Sequence, residues 1–256
     1  IGPGAMGFFL YLGVISKLKH EGRLDALEAI SGASAGGLLG FLFLATKGDL
    51  SKVLDFTLEV PVKQIMKINI KNFLKDHGLV STRKVRRVLS NACVKFMDRE
   101  DVTFEELYEW WPIKFYVSAY CVDLMKTVYF SVDSHPKLSV LDAVSASIAI
   151  PFLFTSLKMN DGWTYIDGGS AEATPAGPFL GLNDVLALKL AWSRPSPIQD
   201  FKTYALNILY STMRLRAIYE VPTLDLDYGD SDIFDFGASN DGKLKMFLKG
   251  HALNFS

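Results

Sequence analysis

The sequence is poor in the residues that build disulfide frameworks and metal sites. Its 256 residues include only two cysteines and four histidines. Cys93 and Cys121 lie in apolar surroundings without the short spacing of metal ligands. We therefore expect buried free thiols in a reducing compartment, and we predict no metal and no other cofactor.

Neither sign of charge is in excess. The chain has 27 basic and 28 acidic residues, a net charge of −1, which argues against nucleic acid as the main partner. Its hydrophobic content of 49% is enough to bury a sizeable core, and neither a repeat nor a linker divides it. We predict a single α/β domain over residues 1–256.

Long uninterrupted apolar runs are also missing. Residues 29–46 form an uncharged run of 18 residues, the lower limit for a transmembrane helix, but four glycines and two serines fall in its first twelve positions. The run at 143–157 is shorter and contains Pro151. We expect a protein that is cytoplasmic or peripheral at a membrane surface, without a transmembrane span.

A Gly-x-Ser-x-Gly motif at residues 32–36 carries the clearest chemical signal. An apolar stretch that predicts a strand (26–30) precedes it and an apolar helical stretch (38–45) follows, which is the context of a nucleophile elbow. Gly32 and Gly36 would permit a sharp turn with a strained backbone at Ser34. The same pattern also fits an ordinary turn that opens a buried helix, so Ser34 is a candidate nucleophile.

A glycine-rich turn, Gly2-Pro3-Gly4-Ala5-Met6-Gly7, precedes a predicted helix at residues 8–20. The backbone N–H groups of such a turn can bind an anion. Its G-x-G-x-x-G spacing also fits a dinucleotide fingerprint, with Asp25 and Glu28 near the position of the ribose ligand, so nucleotide binding is an alternative. Because the chain opens inside this turn, we expect a further strand before Ile1.

The rest of the sequence predicts helices and strands in mixed order. Apolar spacing and capping signals predict helices at 49–60, 62–75, 82–97, 103–111, 138–149, 201–218 and 241–253, with a capping box from Thr103 to Glu106. Residues rich in β-branched and aromatic types predict strands at 113–122, 127–132, 183–192 and 223–228, and one that runs from Trp163 into the Asp167 turn.

Two clusters of charged residues, one basic and one acidic, each allow a functional and a purely structural interpretation. If residues 62–75 form one helix, a ridge of lysines four residues apart would suit an anionic lipid surface, although a solvated helix face is the alternative; the ridge is Lys63, Lys67, Lys71 and Lys75. Five aspartates near the C-terminus could suggest calcium, but Gly229 occupies the third ligand position of an EF-hand loop. We expect solvated turns at Asp225, Asp227, Asp230, Asp232 and Asp235.

Four motifs between residues 2 and 169 occur in a recognisable order: the glycine turn with its helix, Gly-x-Ser-x-Gly, Ala146-Ser147-Ile148-Ala149-Ile150-Pro151, and Asp167-Gly168-Gly169. In this order and spacing they resemble the patatin-like phospholipase family. The resemblance implies a three-layer α/β/α sandwich with a mostly parallel central sheet. It also implies hydrolysis of phospholipids, lysophospholipids or other lipid esters by a Ser–Asp dyad.

The resemblance assigns a role to each motif. Ser34 would be the nucleophile and Asp167 its base. The backbone of Gly2, Gly4 and Ala5 would form the oxyanion hole, and Gly32, Gly36, Gly168 and Gly169 would be the glycines of the elbow and of the Asp167 motif.

The sequence departs from the family at the glycine turn, where the usual pattern is three glycines, a variable residue, an arginine and a glycine. Pro3 has no N–H to donate, and Met6 removes a cation. A catalytically weakened or inactive lipid-binding relative is therefore an alternative. A Ser34–Asp167–His251 triad is also formally allowed by the residue order, although His251 lies in a polar C-terminal helix.

Overall fold

The computed structural model describes residues 1–191, 219–229 and 232–254, together with positions 198, 204, 207 and 208. The helix predicted at 201–218 lies almost entirely outside the described residues. The described helices are α1 (Phe8–His20), α2 (Ala35–Ala45), α3 (Leu50–Glu59), α4 (Val62–Ile65), α5 (Ile70–Asp76), α6 (Thr82–Met97), α7 (Phe104–Trp110), α8 (Val140–Ser147) and α9 (Asn240–His251). The described strands are β1 (Ala29–Ala33), β2 (Gly78–Val80), β3 (Lys114–Cys121), β4 (Lys126–Phe130), β5 (Phe152–Phe154), β6 (Leu157–Lys158), β7 (Thr164–Asp167), β8 (Ala187–Ala191) and β9 (Thr223–Asp227).

A five-stranded sheet forms the centre of the fold. Its order is β1-β3-β7-β6, with β4 also paired to β3. β1 runs parallel to β3, whereas β4 and β7 run antiparallel to β3 and β6 antiparallel to β7. Two separate pairs, β2 with β5 and β8 with β9, are parallel. The α/β class is confirmed, and the strand pairing is mixed because the short β3–β4 and β6–β7 connections join antiparallel neighbours.

One edge of β3 holds two strands end to end. Val117 and Ser118 pair with both β1 and β4, while residues 119–121 pair with both β4 and β7. Since a strand has only two edges, β1 and β7 share the edge opposite β4. Their C-terminal ends therefore meet at the middle of β3.

Helix α2 is apolar on nearly every side because it is enclosed. It packs against β1 and β3 and also contacts α1, α6 and α8, and all of its residues except Leu38 are buried. A helix that is hydrophobic all round is expected in such a position. The long uncharged run at 29–46 is thus a strand, a turn and a buried helix, as predicted, and no helix in the described ranges is long and apolar enough to cross a bilayer.

The region around residues 62–75 differs from the prediction, because it forms two short helices rather than one. The Asn69 side chain accepts a hydrogen bond from the Lys71 N–H (3.0 Å) and so starts α5 as a new helix. Lys84 Nζ donates to the carbonyls of Ile65 and Lys67, both at 3.1 Å, and holds the chain between α4 and α5. The prediction of a lysine ridge on a single helix was wrong, although all four lysines are exposed.

Most other predicted elements lie within a few residues of their observed bounds, and the capping box at Thr103 is present. The larger differences are at β1, which extends to Ala33 and therefore enters the Gly-x-Ser-x-Gly motif, and at β8, which begins at Ala187 rather than at residue 183.

Ile1 and Gly2 connect the central sheet to β8. The Ile1 nitrogen donates to Ser31 O (2.7 Å), and Ala33 N donates to Ile1 O (3.1 Å). On the other side, Gly2 N donates to Leu188 O (2.8 Å). The strand expected before Ile1 stays a prediction.

Candidate active site

Ser34 occupies a strained turn between β1 and α2. Its backbone angles are φ 55° and ψ −120°, and the residue is 3% exposed. A Cβ on Gly32 would lie 2.4 Å from Gly36 O, and one on Gly36 would lie 2.1 Å from Ile1 O. Both glycines are therefore required by close backbone contacts, and the sharp turn expected of a nucleophile elbow is present.

The start of α2 adds electrostatic stabilisation beside Ser34. Ser34 is the N-cap residue of this 11-residue helix, yet its side chain makes no capping hydrogen bond to it. The first N–H groups of a helix lack intrahelical acceptors and carry partial positive charge. An anion that forms next to the Ser34 hydroxyl would therefore be stabilised by α2.

The register of β3 brings Ser34 and Asp167 to one place. Ala33 lies opposite Ser118, and Asp167 lies opposite Ala119, the next residue of β3. Because β1 and β7 occupy the same edge, the residue that follows Ala33 lies beside the end of β7. Ser34 and Asp167 are 133 positions apart in the sequence, yet the strand register of the sheet brings them to neighbouring positions.

Asp167 is buried in a tight turn. The residue is 1% exposed, and its Oδ1 accepts a hydrogen bond from Gly169 N at 2.7 Å. A Cβ on Gly168 would lie 2.2 Å from Ser118 O, and one on Gly169 would lie 2.5 Å from Pro3 Cβ. The two glycines thus let the Asp167 turn pack against β3 and against the glycine turn at once.

Ser147 and Ala149 support the two turns, a role that the sequence did not reveal. Its Oγ accepts a hydrogen bond from Ser34 N (2.8 Å) and donates one to Ser118 O (2.6 Å). Two residues later, Ala149 O accepts a hydrogen bond from Asp167 N (3.0 Å). The motif at residues 146–151 therefore holds the backbone of Ser34 and of Asp167, and its place in the family pattern was the only signal for this.

The glycine turn lies beside these residues but offers fewer donors than predicted. Gly2 N donates to Leu188 O (2.8 Å), so Gly2 is not an available oxyanion donor, which corrects the prediction. Met6 N donates to Ile233 O (2.9 Å). Within the described ranges no acceptor faces the N–H groups of Gly4 or Ala5, and Ala5 has a left-handed backbone (φ 44°).

His251 lies beside the C-terminal end of α1, whereas the glycine turn lies at the N-terminal end of that helix. Its ring lies 6.3 Å from that of His20, the last residue of α1, and 6.1 Å from that of Phe247. The glycine turn precedes the first residue of α1, so the length of this helix separates the turn from His20. This placement does not support a triad that includes His251.

The aspartates near the C-terminus make local contacts. Asp227, Asp232 and Asp235 each accept a hydrogen bond from the N–H two residues ahead, at 2.8 to 3.0 Å. Asp225 pairs with Lys189 at 2.9 Å, and Asp230 lies outside the described residues. The predicted turns are present at Asp232 and Asp235, whereas Asp225 and Asp227 lie in β9, so the prediction of turns there was wrong. The part of the chain that the structure describes contains no group of three or more potential metal ligands.

Both cysteines are free and buried, as predicted. Burial raises the pKa of the Cys93 thiol to about 12, so this thiol remains protonated at neutral pH and is a poor nucleophile.

Comparison with known proteins gives one match to a family and several distant relatives. The model of the patatin-like phospholipase family matches residues 1–180. The probable lipid hydrolase 463L of Invertebrate iridescent virus 6 is 23% identical over 256 residues, which cover 96% of this chain and 83% of that protein. An uncharacterized NTE family protein of Mycobacterium tuberculosis is 25% identical over 205 residues, which cover 78% of this chain and 50% of that protein.

Among solved structures, VipD from Legionella pneumophila is similar in fold. Its TM-score is 0.61 at 14% identity, with 98% of this chain and 64% of that chain covered. The chain thus spans half the length of the mycobacterial relative and less than two thirds of VipD. The family match is more informative, because it includes all four motifs and well over half of the chain. The chain belongs to the patatin-like phospholipase family.

Proposed function

We propose that this protein hydrolyses carboxylic ester bonds of lipids, with phospholipids or lysophospholipids as substrates, through a dyad of Ser34 and Asp167. Membership of the family and the name of the viral relative support lipid hydrolysis in general. The observation that best supports the dyad is the meeting of β1 and β7 on one edge of β3, because Ser34, with its strained backbone, follows β1 and the buried Asp167 ends β7.

In the first step the Ser34 hydroxyl oxygen attacks the acyl carbon. Asp167 accepts the hydroxyl proton as the new C–O bond forms, since an alcohol is a weak nucleophile until a base takes its proton. The carbonyl oxygen becomes an oxyanion. The N–H groups of Gly4 and Ala5 and the start of α2 are the donors that would stabilise this charge.

In the second step the oxyanion collapses and the bond to the alcohol part of the lipid breaks. The leaving oxygen takes the proton from Asp167, and the acyl group remains on Ser34 as an ester. A water molecule then attacks this ester while Asp167 accepts its proton. Release of the fatty acid returns that proton to Ser34 and restores the enzyme.

A lipid-binding relative with little turnover is the second candidate. One observation favours it, namely that Pro3 lacks an N–H while the Gly2 and Met6 N–H groups are bonded to Leu188 and Ile233. Loss of one oxyanion donor costs about 10²–10³ in rate where that donor is used. This candidate predicts lipid binding that survives Ser34→Ala and hydrolysis no faster than background.

Peripheral contact with a membrane belongs to the same proposal. The exposed Lys63, Lys67, Lys71 and Lys75 would attract an anionic lipid surface. Such contact would bring a cytoplasmic protein to its lipid substrate, and the proposal needs no nucleic acid and no cofactor.

The dyad is tested by hydrolysis of a short-chain chromogenic ester and of phospholipid vesicles. We expect activity in the parent protein, loss to background in Ser34→Ala and Asp167→Asn, and normal activity in His251→Ala. If the parent protein were no faster than Ser34→Ala on both substrates, the lipid-binding candidate would replace the hydrolase. Loss of activity in His251→Ala alone would instead require a different base.

A further inference from the structure

Helix α5 presents an apolar face to solvent. Ile70, Phe73 and Leu74 recur at i, i+3 and i+4 and so share one side of the helix, and none of the α5 residues is buried. Ile70 is 73% exposed and Leu74 is 84% exposed. Exposed apolar residues that cluster in this way commonly mark an interaction surface, whereas a single exposed residue does not.

Two further residues extend this face. Ile68 is exposed just before α5, and Phe152 is exposed at the start of β5, where its ring lies 6.4 Å from that of Phe73. Phe152 has a left-handed backbone (φ 67°), which is unfavourable for a bulky residue. The α5 surface, defined as Ile68, Ile70, Phe73, Leu74 and Phe152, therefore includes an aromatic side chain held outward at a conformational cost.

Most of the charged residues along the α5 segment are basic. Lys67, Lys71 and Lys75 are exposed beside it, and Lys71 and Lys75 lie one helical turn apart. Asp76 is the only acidic residue between positions 60 and 97. Apolar side chains next to lysines fit an anionic bilayer, because the former enter the acyl boundary and the latter contact the headgroups.

The α5 surface is joined to the candidate active site through one short segment. Ser147 binds the Ser34 N–H, Ala149 binds the Asp167 N–H, and the same chain reaches Phe152 five residues after Ser147. β5 then pairs with β2, on which α5 packs. The residues that support the dyad are thus close in the sequence to a residue of the surface that a bilayer would contact.

We propose that the α5 surface docks onto bilayers that contain anionic phospholipid, with Ile70 and Leu74 inserted and Lys71 and Lys75 on the headgroups. This inference rests on the proposed lipid hydrolase function, for which it names the form of the substrate, a lipid in a charged membrane. It narrows the ridge of four lysines predicted from the sequence to Lys71 and Lys75, together with the exposed apolar side chains of α5.

The test is cosedimentation of the Ser34→Ala protein with phosphatidylcholine vesicles prepared with or without phosphatidylserine. We expect binding only to the vesicles that contain phosphatidylserine. Ile70→Ser/Leu74→Ser should weaken this binding about tenfold or more, and Lys71→Glu/Lys75→Glu should weaken it at least about 30-fold. High salt should affect the parent protein strongly and the lysine variant little.

Matched controls come from exposed residues elsewhere in the chain. Met125→Ser/Leu248→Ser removes two exposed apolar side chains, and Lys126→Glu/Lys245→Glu reverses two exposed lysines. Neither double variant should change vesicle binding. If the controls weakened binding as much as the α5 variants did, or if the α5 variants bound like the parent protein, the docking proposal would be overturned.

A second measurement separates this proposal from the proposed function. When the α5 substitutions are made in the protein that retains Ser34, these variants should hydrolyse a short soluble ester at the parental rate and lose activity only on vesicles. Normal vesicle binding with no hydrolysis of any ester would overturn the hydrolase and leave the docking surface. Equal activity of parent and α5 variants on anionic vesicles would overturn the docking surface and leave the hydrolase.

Discussion

The backbone N–H of Ser34 donates a hydrogen bond to Ser147 Oγ over 2.8 Å, although the two serines are 113 positions apart in the chain. The same Oγ donates to Ser118 O at 2.6 Å, so one hydroxyl joins the elbow to β3. The strained turn at Ser34 is therefore held by a side chain from α8 as well as by its own glycines.

We expect Ser147→Ala to lower kcat/KM by about tenfold or more, because the elbow loses its support. The substitution also leaves the buried Ser34 N–H without an acceptor, which should cost about 1–3 kcal/mol in the free energy of unfolding. Ester hydrolysis and urea denaturation measure the two effects.

Ser145→Ala is the matched control for this variant. Ser145 is equally buried on α8, but its Oγ bonds to Leu141 O within the helix, so catalysis should be almost unchanged. Equal losses of activity in the two variants would show that α8 packing, rather than the contact with Ser34, is responsible.

We expect Pro3→Ala to raise kcat about tenfold or more without a matching change in KM. The change restores an N–H group in the glycine turn and keeps a Cβ at the position that packs against Gly169. An added donor acts mainly on the oxyanion of the transition state, and therefore on kcat. Steady-state kinetics on a soluble ester measures this, and an unchanged or lower kcat would mean that position 3 does not contribute to the oxyanion hole.

A buried carboxylate a few residues beyond Asp167 should make the stability of the fold sensitive to alkaline pH. Glu172 accepts hydrogen bonds from the hydroxyls of Tyr129 and Tyr219, the latter at 2.6 Å. Burial and the contact with Glu172 raise the pKa of Tyr219 to about 12, and similar causes raise the pKa of Tyr129 further. In the unfolded chain a tyrosine loses its proton near pH 10.

The folded state therefore retains these protons at pH values where the unfolded state has released them. The stabilisation is complete below about pH 10 and should decline as the pH rises toward the folded pKa values. Urea denaturation between pH 9 and 12 measures the decline, which we expect to be shallower in Tyr219→Phe. The same slope in both proteins would contradict the assignment to Tyr219.

The local parts of the fold were predictable from the sequence because local signals determine them. Apolar periodicity and caps located most helices, and Gly32 and Gly36 marked the turn at Ser34. The break between α4 and α5 was missed because the Asn69 cap was not recognised within the lysine periodicity. A distant contact also holds the break, since Lys84, 17 residues beyond Lys67, reaches back to its carbonyl. Lysine periodicity alone could not show that contact.

For the candidate site, the identities of the residues could be predicted from the sequence, but their arrangement could not. Ser34 and Asp167 were found from the motifs, but their placement on one edge of β3 is a matter of strand register, which the sequence does not show. The availability of each oxyanion donor depends on distant carbonyls such as Leu188 and Ile233. For this reason Gly2 was predicted as a donor, whereas its N–H is bonded elsewhere.

The most direct test of the central claim is covalent labelling with a fluorophosphonate, which reacts with activated serine nucleophiles, followed by mass spectrometry of the peptides. We expect one adduct, on Ser34, formed at least about 10²-fold more slowly in Asp167→Asn and at the normal rate in His251→Ala. An adduct on another residue, or equal labelling rates in the parent protein and Asp167→Asn, would contradict a dyad of Ser34 and Asp167.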